Sequence, residues 1–408
     1  MKTAMLVSRI LAGVVFIFSG FVKAIDPMGS AIKFEEYLLA FHLDFLIFGA
    51  LPFAVFLSAL EFMIGLNLLA GVRIKVTAWL LLILMLFFTL LTFILALTNP
   101  VSDCGCFGDA LKLTNWQTFW KNIILFAPAL IIFLRRKKTD PAASSQTLEW
   151  SLCVVNFLIA VLISVYGLRH QPVLDFRPYS TGSSIQEKMS VPPGAPTDKY
   201  ETILVYEKNG VRQEFTESNF PWQDTTWKWV ETQQILVSKG YEPAIHDFSI
   251  TDENGFDITG QVLNDTNHIL LIISPFLHKA SKRGMQRMNN LSLRAIQLGF
   301  NVYCLTSSTS SQIMAFKEAF HPSFDICTAD ETTLKTIIRA NPGILLLKQG
   351  TILGKWNYRD APRPDLFQSN MLPVIMNRHR KITGAFAVIT LVLATALFYA
   401  VLFYIRQR

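Results

Sequence analysis

Six apolar stretches constrain this chain more than any other feature, because about 20 apolar residues at helical rise suffice to cross a hydrocarbon core. They cover residues 5–22, 46–72, 76–98, 119–134, 148–168 and 382–405. In lipid each segment must satisfy its own backbone N–H and C=O groups, so such stretches fold as helices and pack into a bundle. Hydrophobic residues make up 51% of the chain and charged residues 16%, against a usual charged share of roughly 25%. That composition excludes a simple cytosolic enzyme and a disordered chain. The net charge of +7 would suit nucleic acid, but Lys and Arg flank the apolar stretches and form no single arm or stripe. The expected partner is therefore membrane lipid and not nucleic acid. Lys2 before the first stretch imitates a signal peptide, yet four more stretches follow closely, so the first reads as a retained helix.

Lys and Arg in the short connections set orientation. With the N-terminus in the cytoplasm, Lys2, Arg9, Arg73, Lys75, Arg135, Arg136, Lys137 and Lys138 lie inside, and Lys23, Lys33, Lys112 and Lys121 lie outside. The fifth span then delivers 169–381 to the outer side and the sixth returns the C-terminus, although Arg378, Arg380 and Lys381 would stand outside against the rule. The expectation is a bacterial inner-membrane protein with both termini cytoplasmic and 169–381 periplasmic.

The outer insert alternates strand and helix signals. A polar linker rich in Pro, Gly and Ser (180–196) precedes a strand at 201–207, and Asn209-Gly210 is a hairpin turn into 211–215. After His246-Asp247-Phe248 and a turn at Glu253-Asn254-Gly255 come strands at 269–274, 301–306 and 324–327, with helices at 279–298, 311–319 and 331–339 between and after them. A hairpin follows, 344–347 with 351–356, turning at Gln349-Gly350. Strands separated by helices imply βαβ crossovers. The expected units are 1–138 (a four-helix membrane domain), 148–168 (a fifth transmembrane helix), 169–244 (linker and small β-rich subdomain), 245–376 (an α/β domain) and 382–405 (a C-terminal transmembrane helix).

Of five cysteines, only Cys104 and Cys106 are close in sequence. Cys153, Cys304 and Cys327 sit in apolar or strand-like runs, where a free Cys behaves as a small core residue. The pair lies in a polar turn between spans. Alpha-carbons two residues apart on an extended chain are roughly 6.6–7 Å apart, at the disulfide limit of about 6.8 Å, so the backbone must bend, which Gly105 permits. Strain would make such a bond a better oxidant. Three readings stand: a redox pair, a permanent staple for the loop, or half of a metal site, which normally needs four ligands. Glu61, inside the second apolar stretch, is a candidate for proton handling or for a helix–helix hydrogen bond. Lys23 and Asp26 close the first span as candidate binding residues, with Lys23 expected to snorkel and pair with Asp26 or Glu36. Trp116 and Trp120 read as interfacial anchors, and Trp222, Trp227 and Trp229 as a subdomain core or binding surface.

Residues 1–135 resemble the DoxX/MauE-like family of four-helix membrane proteins. The resemblance rests on Ser19-Gly20-Phe21-Val22-Lys23 with Asp26-Pro27, on Glu61, Gly71 and Arg73, and on Asp103-Cys104-Gly105-Cys106-Phe107-Gly108 followed by Trp116 and Lys121-Asn122. It implies a membrane component of redox or disulfide maturation; the MauE members are linked to methylamine dehydrogenase biogenesis. Residues from about 245 to 360 resemble a thioredoxin- or TlpA-like domain through His246-Asp247-Phe248, Asn341-Pro342-Gly343 and the final hairpin, with Pro342 at the family's cis-proline position. Where that family has C-x-x-C, this chain reads Ser274-Pro275-Phe276-Leu277-His278, so the resemblance is to a degenerate domain without the dithiol. The expected fold class is a membrane α-helical bundle, a four-helix DoxX/MauE-like core plus two further transmembrane helices, with an α/β thioredoxin-like extracytoplasmic domain. The expected function is thiol–disulfide chemistry at Cys104 and Cys106 that supports envelope client proteins, with a membrane quinone, by analogy with other four-helix thiol oxidases, as electron acceptor. The alternative is a non-enzymatic scaffold or chaperone. A transporter is a weaker third, since no inverted repeat is evident.

Overall fold

The computed structural model describes residues 2–101, 103–138, 145–172, 174–238 and 240–366. In chain order the membrane part comprises α1 (Lys2–Ile25), α2 (Pro27–Ala40), α3 (Ala50–Ala70), α4 (Ile74–Thr98), α5 (Asn115–Arg135) and α6 (Gln146–Arg169). Five stretches among the described residues are long and apolar enough to cross a membrane: Thr3–Ile25, Asp44–Ala70, Ile74–Thr98, Asn115–Arg135 and Gln146–Arg169. The expected sixth span lies outside the described residues, as does the end of the expected α/β domain.

Local chemistry explains the boundaries. Asp26 caps α2 by accepting the Gly29 N–H at 2.9 Å, with Pro27 in the first helical position. α5 starts four residues before the expected 119 because Thr114 and Gln117 form a capping box. α3 ends on Gly71 in the left-handed region (φ 78°), whose N–H and that of Val72 return to the Asn67 carbonyl.

Within the bundle α1 lies directly on α3 through small residues. A Cβ on Gly20 would stand 2.5 Å from Phe62 N, and one on Gly65 2.6 Å from Ile17 N. Close backbone approach of this kind replaces the hydrophobic drive that lipid does not supply. Leu81, Met85, Leu95, Ala129 and Ile132 are buried, whereas Ile83, Leu86, Leu90, Leu97, Ile124 and Leu134 are exposed, the face that lipid would cover. Asn156 of α6 donates to Asn67 of α3 at 2.8 Å.

Beyond the bundle follow α7 (Ile185–Met189), β1 (Lys199–Lys208), β2 (Val211–Thr216), β3 (Lys228–Ser238), α8 (Thr259–Asn264), β4 (His268–Ile273), α9 (Lys282–Gln297), β5 (Asn301–Thr306), α10 (Ser310–Phe320), β6 (Asp325–Thr328), α11 (Glu331–Ile337), β7 (Gly343–Lys348) and β8 (Thr351–Asn357). The expected hairpin at Asn209-Gly210 joins β1 and β2, and β3 completes a separate sheet ordered β2-β1-β3. There Trp227 packs edge-on against Phe215, while Trp222 and Trp229 are 72% and 60% exposed.

The five-stranded sheet is ordered β6-β5-β4-β7-β8, parallel across β4, β5 and β6 and antiparallel across β4, β7 and β8. Alternation along β4 builds two cores. Leu270 and Ile272 face Met285, Met288 and Leu291 of α9, and Ile269, Leu271 and Ile273 face Phe248, Ile250, Leu334 and Ile337. The Asn341–Pro342 bond ahead of β7 is cis. The α/β domain thus has a thioredoxin-like architecture.

Two expectations need correction. Residues 180–189 are not linker: Ile185 is fully buried in the sheet's core, and its N–H bonds to Gly350 while Gly182 N–H bonds to Ile352. One apolar residue in a Ser/Gly-rich run anchors it by backbone pairing with the final hairpin. The helix expected at 331–339 ends at Ile337, which turns Arg339 away from the helix toward the bundle.

Candidate functional site

The loop between α4 and α5 carries the cysteine pair. Gly105 adopts φ +62°, and its N–H bonds to the Asp103 carboxylate at 2.9 Å, which folds the turn so that the two sulfurs lie 2.9 Å apart as free thiols. Three helices hold the loop. The Tyr37 hydroxyl of α2 donates to the Cys104 carbonyl. Lys33 of α2 lies along Gly105 and pairs with Asp103 at 3.4 Å and Glu36 at 2.8 Å. From α1, the Ser19 hydroxyl lies 2.8 Å from Glu61 Oε2 and 2.9 Å from the Cys106 carbonyl oxygen. From α5, Lys121 stands over the Phe107 ring, 4.4 Å from its centroid.

Glu61 is paired inside the bundle. Lys23 Nζ binds both of its oxygens at 2.7 and 2.8 Å, and the two residues are 7% and 2% exposed. Pairing of Lys23 with Asp26 or Glu36 is therefore not what forms. Ser19 and Lys23 are four residues apart on one face of α1, and that face points at Glu61. Asp26 instead meets Arg339 of the α/β domain at 3.0 Å.

The two thiols differ. Cys106 is lowered to about 6: the hydrogen bond from Cys104 favours its thiolate, and Lys121 and Lys23 add to this against the opposing effect of burial. Cys104 is raised by its hydrogen bond to Cys106 and by burial. The surroundings thus favour the thiolate at Cys106 and the protonated thiol at Cys104. Burial pushes Cys327 up to about 11, consistent with a core thiol.

On the α/β side, the loop in place of a dithiol is closed by hydrogen bonds. Ser274 Oγ donates to Asn341 Oδ1 at 2.6 Å, Asn341 Nδ2 donates to the Phe276 carbonyl at 2.8 Å, and the exposed His278 has no thiol beside it. The domain docks on the bundle through Arg339, bound to Asp26 and 3.6 Å from Asp109, and through His170 Nδ1, 2.8 Å from Asp360 Oδ1. A cleft of about 890 Å³ opens between the two parts, lined by Asp26, Lys33, Glu36, Gly105, Arg177 and Arg339 among others. Among the described residues, no group of three or more His, Cys, Asp or Glu is arranged to hold a metal.

Sequence reasoning singled out Ser19, Lys23, Glu61, Cys104, Cys106 and Lys121 separately; the structure brings them to one place. It missed Tyr37, Arg177 and Arg339. For Tyr37 the signal was present, since Asp26-Pro27 announces a helix start.

Residues 1–135 match the family model described as Methylamine utilisation protein MauE, and residues 200–239 match a domain of unknown function, DUF8463. No curated protein matches the chain. Ten solved chains match; one is a solution structure of a provisionally named protein disulfide isomerase from Bacteroides thetaiotaomicron, 14% identical, covering 34% of this chain and 86% of that one with a TM-score of 0.24. The chain is a multi-pass membrane protein whose residues 1–135 match the MauE family and whose later part carries a thioredoxin-like α/β domain.

Proposed function

We propose that this protein is a redox or maturation factor of the bacterial inner membrane that exchanges disulfides with envelope proteins at Cys104 and Cys106. The match of residues 1–135 to the MauE family supports the general role. The observation that carries the finer reading is the asymmetric pair itself, two sulfurs 2.9 Å apart on either side of Gly105, which lines the cleft. In the exchange the Cys106 thiolate attacks a client disulfide. A Cys106–client bond forms, the client S–S bond breaks, and the released client sulfur takes a proton. Cys104 then loses its proton and attacks Cys106 Sγ, releasing the second client thiol. The pair is oxidised as the client is reduced, and the reverse sequence delivers a disulfide. The α/β domain, lacking a dithiol, holds the client at the cleft. With the cleft on the periplasmic side, no glutathione pool reduces the pair.

Thiol trapping in intact cells tests this. Cys104→Ser, which removes the resolving thiol, is expected to accumulate mixed disulfides with envelope proteins, and Cys106→Ser to form none. A pair that is permanently oxidised, whose loss leaves the protein's cellular role intact, would favour the scaffold reading, which the closed loop at Ser274–His278 supports. Labelling that places the loop on the cytoplasmic side would end the exchange proposal.

A further inference from the structure

Under the cysteine loop the bundle buries an ammonium group, Lys23, and a carboxylate, Glu61, with the half-buried Lys121 beside them. Lys23, Glu61, Lys121, Ser19 and Cys106 line one cavity of about 30 Å³ together with Phe88 and Asn122, room for a water molecule. A buried ion pair seldom stabilises a bundle more than well-packed apolar side chains of the same volume would. Stability is therefore a poor reason for Lys23–Glu61 to stand there, and contact with the reactive loop supplies a better one. Ser19 links the pair to that loop, lying 2.8 Å from Glu61 Oε2 and 2.9 Å from the Cys106 carbonyl oxygen.

We propose that Ser19, Lys23 and Glu61 are positioning residues for Cys106: Ser19 fixes the loop over the cavity, Lys23 with Lys121 balances the thiolate's charge, and Glu61 limits how much of the Lys23 charge the thiolate feels. This deepens the exchange reading and rests on it. The titratable groups around Cys106 and its loop are Cys104 and Asp103 on the loop itself, Lys33 and Tyr37 on α2, Lys23 on α1, Glu61 on α3 and Lys121 on α5. Lys23 and Lys121 favour the thiolate and Glu61 opposes it. Removing Lys23 and removing Glu61 must therefore move Cys106 in opposite directions.

The test is alkylation of the reduced, full-length protein in lipid nanodiscs by iodoacetamide across pH, with modification of Cys106 and Cys104 resolved by mass spectrometry. At pH 5, below the Cys106 value of about 6, the thiolate fraction follows the pKa, and one unit is a tenfold change. Lys23→Met is expected to slow Cys106 alkylation about tenfold and Glu61→Gln to speed it several-fold, with the double variant between them and Lys121→Met slowing it as Lys23→Met does. Ser19→Ala is expected to lower the preference for Cys106 over Cys104. Changes of the same sign in Lys23→Met and Glu61→Gln, or none in either, overturn the proposal, because a merely structural pair would open the loop whichever partner was lost. If Lys23→Met fails to fold, the comparison of Glu61→Gln with the double variant decides it. Alkylation needs no client, so opposite shifts without mixed disulfides in cells would reject exchange while leaving this electrostatic role in place.

Discussion

Asp175→Ala is expected to destabilise the α/β domain by about 3–5 kcal/mol, the range for removing one member of a buried charge cluster. Asp175 receives Arg177 Nε at 2.6 Å and Nη2 at 3.0 Å, and Lys355 Nζ at 2.7 Å. Both cationic side chains are almost wholly buried, and Lys355 also donates to the Tyr179 carbonyl. Without the carboxylate, Lys355, which burial and Arg177 already push down to about 7, loses the partner that favours its charged form, and both buried side chains lose their acceptor. The cluster fastens the segment around Tyr179 and Ile185 to β8, so the loss should appear as cooperative unfolding of the sheet, followed by urea melts of the detergent-solubilised full chain. A midpoint within error of the parent would show that the cluster carries no net energy. The same carboxylate sets an acid limit. Burial alone would raise Asp175, but Lys355 and Arg177 outweigh it and hold the group at about 2. A carboxyl lower in the folded than in the unfolded state contributes stability that is present above about pH 4 and lost as pH falls toward 2, here about 2–3 kcal/mol. Asp175→Ala should lack that part of the acid sensitivity.

Gly20→Val is expected to separate α1 from α3. The added Cβ would stand 2.5 Å from Phe62 N, 2.7 Å from the Ser58 carbonyl oxygen and 2.9 Å from Phe62 Cα. All three are backbone atoms, so no side chain can rotate away and the helices must part. Overpacking of this kind costs roughly 1–3 kcal/mol and occasionally more. Ser19 and Lys23 ride on the same helix, so their contacts with Glu61 and the Cys106 carbonyl are lost with the shift. The expected result is a lower melting temperature in detergent together with loss of selective Cys106 alkylation at pH 5. A valine variant with parental alkylation would show that the α1–α3 contact does not set the cysteine geometry.

Much of this was legible along the chain. Long apolar runs permit few structures in lipid, and period-two alternation with turn residues at Asn209-Gly210 and Gln349-Gly350 placed the strands. Cys104 and Cys106 were legible as a pair because only Gly105 separates them. The partner of Lys23 was not. Asp26 and Glu36 are near in sequence, whereas Glu61 belongs to another helix, and only the crossing of α1 and α3 decides which carboxylate the ammonium meets. Arg339 was likewise unreadable, because its role depends on α11 ending two residues earlier and on the docking of two distant parts of the chain.

Local propensity and hydrophobic period determined the elements: membrane helices, alternating strands and helices of an α/β domain, a cysteine turn and the absence of a dithiol after β4. Tertiary packing alone decided which charges surround each sulfur, which acid faces which base, and that the sheet domain sits against the cysteine loop. The reason is range. Backbone hydrogen bonds and alternation act over a few residues, while pKa values and ion pairs are set within a few ångströms in space by groups tens to hundreds of positions apart, such as Lys23 and Glu61 or Asp26 and Arg339.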